Sequence, residues 1–147
     1  MTITRAQTEL LLVARAKKLM QLVDFEVTTT GQNADLVDPL STALRRMGKP
    51  SASPAAIKDT DLADVSDDEI EELLDRSELR LLQNILGNFD LVDFSSGPRR
   101  ESLSQARAGL EKRIDDHTNL VSNRYGDDTP ELQAGVIQLD YQQTDEQ

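Results

Sequence analysis

Cysteine and tryptophan are absent from this 147-residue chain, histidine occurs once, and aromatic residues make up only 3% of it. Without cysteine there is no disulfide framework, no thiolate zinc site and no cysteine nucleophile. With His117 as the sole imidazole, a serine or threonine nucleophile has one histidine to call on and a multi-histidine metal site has none. Five aromatic side chains are few from which to build a substrate pocket. Long apolar runs are missing too. Leu10 to Ala14 is the longest and Arg15 ends it, far short of the ~18–20 residues of a membrane span. Lys17 and Lys18 follow this run, whereas a signal peptide carries its basic residues in front. Basic charge is scarce, with 16 Lys and Arg against 27 Asp and Glu, a net charge of −11. That balance opposes docking on anionic lipid and non-specific binding of nucleic acid. No phosphate-cradling, dinucleotide-binding or nucleophile-elbow pattern occurs. These absences predict a soluble intracellular protein that is not an enzyme and uses neither cofactor nor metal.

The charge that is present is segregated. Residues 59–78 hold ten acids and one base, and residues 127–147 hold six acids and no base. These two segments supply more than the whole net charge. Either they are a solvated helix face and an acidic tail, or they meet a basic partner or line a passage that repels DNA.

Hydrophobic periodicity predicts an all-α chain: a small bundle of about four helices, one of them long, with an extended C-terminal tail. The first helix covers 5–23, where Leu12, Ala16, Leu19 and Val23 recur at helical spacing and Leu11 and Met20 widen the stripe. The second covers 38–47, with Asp38 as cap, Pro39 in the first turn and Gly48 beyond the end. Residues 48–58, rich in Pro, Ser and Ala, read as a linker. The third helix covers 66–86. Ser66 and Glu69 form a capping box, Val65 and Ile70 a hydrophobic staple, and Gly87 the stop. The fourth covers 99–125. Leu103, Ala106, Leu110, Ile114, His117, Val121 and Arg124 make its narrow stripe, and Gly126 terminates it. At 1.5 Å per residue this helix spans ~40 Å. A helix so long, with one narrow stripe, projects from its domain or packs against neighbouring copies.

The domain expectation is therefore a helical domain over 1–126 and an acidic tail over 127–147. Within the tail, Ile137, Leu139 and Tyr141 alternate with polar residues. An orphan strand of this kind orders by adding to another subunit's surface, which makes these three the expected partner-binding residues. Five further residues are candidates for contacts between subunits. Arg99 and Arg100 sit at a helix start, against the dipole preference, where a neighbour's carboxylate or a phosphate suits them. Ile114, His117 and Val121 lie on the long stripe and must be buried within the chain or between copies. The acids around Asp59 fail the calcium-loop pattern, because Asp64 stands where Gly belongs and Ile70 where Glu belongs.

One stretch carries a likeness. It holds Asp-Thr-Asp-Leu-Ala-Asp-Val (59–65), Ser-Asp-Asp-Glu-Ile-Glu-Glu-Leu-Leu-Asp (66–75) and Leu-Gly-Asn (86–88). Leu-Val-Asp (91–93), Gly-Pro-Arg (97–99), Ser-Leu-Ser-Gln (102–105) and Arg-Tyr-Gly (124–126) follow. In helix order and linker signature, residues 59–126 resemble the head–tail adaptor, or connector, proteins of tailed bacteriophages. The resemblance implies a virion protein at the head–tail interface. It would be a homo-oligomeric ring of roughly twelve subunits that docks on the portal, extends the DNA channel and receives the next neck or tail component. DNA would pass through the lumen without sequence-specific binding. The alternative of a different class is an acidic helical DNA mimic or regulatory binding protein.

Overall fold

The structure, a computed structural model, describes residues 2–89 and 97–126, with side chains from 104 onward in the second stretch. Thr4 opens the first helix: its hydroxyl accepts from the Gln7 N–H at 3.2 Å, and the Gln7 side chain accepts from the Thr4 N–H at 2.9 Å. This reciprocal pair satisfies two of the donors a helix start leaves free. Helix α1 runs from Arg5 to Leu22 and departs from helical geometry at Ala16 (φ −136°, ψ 18°). Three further helices follow: α2 (Val37–Arg46), α3 (Ile70–Phe89) and α4 (Gly97–Tyr125). Among the described residues there are no strands, only an isolated antiparallel bridge between Ser53 and Ala56. The chain is all-α, and no described helix is long and apolar enough to cross a membrane.

Helix α3 is the hub, contacting α1, α2 and α4. One apolar cluster fills the space around it. Leu12 and Met20 come from α1, Leu40 and Leu44 from α2, Leu73, Leu81, Leu82 and Ile85 from α3, and Leu110 from α4. Of the α1 stripe, Leu12, Ala16, Met20 and Val23 are buried and Leu19 is half-buried. Leu11, expected to widen that stripe, instead faces solvent, 41% exposed. The 48–58 segment is fastened at its end by Ile57, whose side chain belongs to the core.

Helix α4 starts at Gly97, two residues before the expected 99, and α1 and α2 each end one residue early; three further boundaries differ for a physical reason. Asp38 does not cap α2. A 3₁₀ turn (Ala34–Leu36), capped by Asn33, leads directly into Val37. Asp38 is thereby carried into the first turn, where its carboxylate takes Arg80 at 2.7 Å and Asn84 at 2.8 Å. These bonds outweigh the effect of its partial burial and hold its pKa below the ordinary value. The third helix begins as a 3₁₀ turn, Asp67–Glu69, before Ile70 continues it as α-helix. There the Glu69 carboxylate accepts from both the N–H and the hydroxyl of Ser66. Gly87 does not stop α3, which continues to Phe89, a residue wholly buried in the core. The burial of Phe89 gives the last turn a tertiary reason to form that outweighs one glycine's propensity. At the far end of α4, Gly126 takes φ +91°, the left-handed stop its sequence position predicts.

Candidate functional site

The densest chemistry lies where α4 crosses α3, and it is ionic. Asp75 and Glu78, both buried, are one turn apart on α3. They share the side of the helix that also carries Leu82 and Ile85, at spacings of 3, 4 and 3. Arg15 reaches them from α1, 3.1 Å from Asp75 and 2.9 Å from Glu78. From α4, Arg113 donates to Glu78 at 2.9 Å, Arg124 to Asp75 at 3.1 Å, and the Tyr125 hydroxyl to Asp75 at 2.7 Å. His117 completes the group. Its Nε2 lies 2.8 Å from the Asp75 carbonyl oxygen, which can only accept, so that nitrogen carries the proton. Its Nδ1 faces Glu78 at 3.9 Å.

A backbone group is drawn in as well. Arg113 also donates to the Arg15 carbonyl oxygen at 2.9 Å. That carbonyl immediately precedes the non-helical Ala16, so α4 meets α1 where its helical geometry breaks. Beside it, Arg76 bonds Glu72 at 2.8 Å and lies over the Tyr125 ring, 5.6 Å from its centre.

Proton affinities follow from this arrangement. Burial disfavours the charged form of Arg15, but the bonds to Glu78 and Asp75 outweigh it, and its pKa is raised. The Tyr125 phenol is pushed up to about 12, first by burial and then by its bond to the Asp75 carboxylate. Arg124 is held protonated by Tyr125 and Asp75.

Asp75, Glu78 and His117 bring three possible metal-ligand atoms within 4.8 Å of one another. The surrounding charges do not suit a cation. Three carboxylates, with Glu71 3.6 Å from Arg15, face three guanidinium groups, so no negative charge is left over, and an added dication would meet Arg15, Arg113 and Arg124 at close range. What this arrangement does chemically is fix the position and register of α4 on the body of the protein.

A second buried pair organises the other end of α1. Arg5 and Glu9 are ion-paired at 2.9 Å. Arg5 donates to the carbonyls of Ile57 (2.8 Å) and Asn33 (2.6 Å), while Glu9 accepts from the N–H groups of Gly31 (2.7 Å) and Asn33 (2.9 Å). Gly31 sits at φ +96°, where a side chain is strained, and its N–H is thereby aimed at the carboxylate. The charges of this pair are spent on backbone groups, which makes it a clasp for the loops at residues 23–33 and 48–58.

Of the residues singled out in the sequence, Val121 is fully buried, and Ile114 is half-buried against the core. His117 is tied to Asp75, so these three are used within the chain. The side chains of Arg99 and Arg100, and the tail residues Ile137, Leu139 and Tyr141, lie outside the described residues. The acidic 59–78 segment is less solvated than its composition suggests. Asp75 and Glu78 are internal, Asp59 accepts from the Arg5 N–H, and Asp61 accepts from the N–H groups of Ala52 and Lys58. The ion-pair group itself was missed, because Asp75 is joined to Arg15 and Arg124 across 60 and 49 residues of chain. A signal for it was present. The α4 stripe carries His117 and Arg124 in register with Leu110 and Val121, and a cationic position on a buried stripe requires an acid opposite. No family model, curated protein or solved structure matches this chain.

Proposed function

We propose that this chain is a structural subunit of a phage neck, an adaptor that assembles as a ring beneath the portal. The ring would extend the DNA channel and present a platform for the next neck or tail component. The observation that carries this reading is α4. Its 29 residues amount to ~43 Å of helix. Among its described side chains only Leu110 and Val121 are fully buried apolar residues. A long helix fixed along one stripe offers its other faces to neighbouring copies, as a ring requires. The resemblance of residues 59–126 to head–tail adaptors supports the same reading, as does an acidic surplus that keeps DNA from adhering to a channel wall. Ile137, Leu139 and Tyr141 are assigned to docking on the portal, and Arg99 and Arg100 to contacts between subunits. The DNA-mimic alternative is weakened by the internal use of Asp75 and Glu78, which removes two charges from the acidic face a mimic would present.

Native mass measurement of the purified protein, alone and with the portal protein of the same virus, tests the proposal. The expected result is a closed homo-oligomer of roughly twelve copies, alone or on the portal. A chain that stays monomeric or dimeric under both conditions contradicts it.

A further inference from the structure

The exposed side of α1 holds an apolar groove of about 330 Å³. Ile3, Leu10 and Leu11 form one wall, and Ile70 and Asp67, at the start of α3, the other. Leu10 is 59% exposed and Leu11 41%, and they are the large hydrophobic residues the described chain leaves in water. Leucines at these positions do not serve the core, which α1 supplies from Leu12, Val13, Ala16 and Met20.

We infer that this groove is the resting site of the chain's own C-terminal segment, residues 136–141, in the free subunit. Two observations select that occupant.

The first is where the tail begins. Helix α4 runs antiparallel to α3: Arg113 meets Glu78, whereas Arg124 and Tyr125 meet Asp75. Its C-terminus therefore points toward the N-terminal end of α3, where Ile70 lines the groove. Ile70 lies five residues before Asp75, ~7–8 Å along the helix. On α1, Leu11 lies one turn before Arg15, which also touches Asp75. Ten residues separate Gly126 from Ile137, a reach of up to ~35 Å, so the segment spans the gap with slack and at high effective concentration.

The second is chemical match. Ile137, Leu139 and Tyr141 alternate on one side of the segment, and an apolar groove open to solvent suits such a row of side chains.

This inference does not rest on the phage-neck assignment. It concerns the free subunit and is tested on the full chain alone. The protein has no tryptophan, so Tyr141→Trp installs a single fluorescent reporter in the segment. The expected emission is blue-shifted relative to the denatured protein and unchanged on dilution, with the mass at each concentration checked by sedimentation. Leu11→Asp should return the emission to that of tryptophan in water while the far-UV circular dichroism stays constant, because the position is already exposed. Leu10→Ser is the milder second variant. Emission typical of water in the parent, or emission blind to both leucine substitutions, overturns the inference. Burial that disappears on dilution overturns it as well, since the occupant is then the tail of another copy.

Discussion

Helix α3 has two seams made of different material. Toward α2, the buried partners are Leu36, Leu40, Ala43 and Leu44, all fully buried, with the Asp38–Arg80 pair left at the exposed edge. Toward α4, apolar burial comes from Leu110 and Val121, and the centre of the seam is Asp75 and Glu78 with their three arginines, His117 and Tyr125. Apolar burial is non-directional and tolerates repacking. Buried ion pairs are directional, and their Coulombic gain is largely offset by desolvation. The comparison therefore separates two tasks. The α2 seam supplies cohesion, and the α4 seam supplies position.

Removing one carboxylate should have the largest effect on the α4 seam. Asp75→Ala strips partners from Arg15, Arg124 and Tyr125 at once and should cost about 3–5 kcal/mol in chemical denaturation. A loss under 1 kcal/mol would show that these charges contribute only surface pairing. Next in size, Leu40→Ala in the other seam should cost ~2–5 kcal/mol through the cavity it opens. That loss should be indifferent to salt, whereas the Asp75 effect should shrink at high ionic strength.

Tyr125→Phe sharpens the picture with a smaller effect, about 1–2 kcal/mol for one hydrogen bond to a carboxylate. It also has a pH signature. The folded phenol is raised from 10.0 to about 12, so its stabilising contribution is complete below pH 10 and is lost as pH rises toward 12. Phenolate absorbance of the parent should carry a late component near pH 12 that is missing from the variant. The smallest effect belongs to Ser66→Ala, about 0.5–1 kcal/mol for a helix start, read as a shifted denaturation midpoint with unchanged slope. The Glu69 carboxylate that accepts from Ser66 has a lowered pKa, chiefly through the Ser66 N–H. Its contribution is present above the ordinary glutamate range and fades as pH falls through the folded value.

The four helices were legible because periodicity and terminal residues are local. Leu12, Ala16, Met20 and Val23 declare a face, and Gly48 and Gly126 declare stops. Phe89 shows the limit of local reasoning: a buried aromatic carried α3 past a glycine that ordinarily ends a helix. Asp38 shows it again, since Arg80 and Asn84 claim its carboxylate from 42 and 46 residues away. The ion-pair group was illegible as a group, although half of it stood on the α4 stripe as His117 and Arg124. Acids at 75 and 78 looked like part of a solvated run, because ten acids in twenty residues hide the two that are internal. Leu10 and Leu11 were read as one apolar run with the core residues after them. Which side of α1 faces inward is decided by where α3 lies.

The claim that α4 is positioned by paired charges on an independently cohesive body is tested most directly by hydrogen exchange. Amide protection is compared helix by helix between the parent and Glu78→Gln, a variant of matched shape that removes one charge. The expected result is loss of protection in α4, from residue 104 to 125, with α2 and the core positions of α3 unchanged. Equal loss across all four helices, or none in α4, contradicts the account.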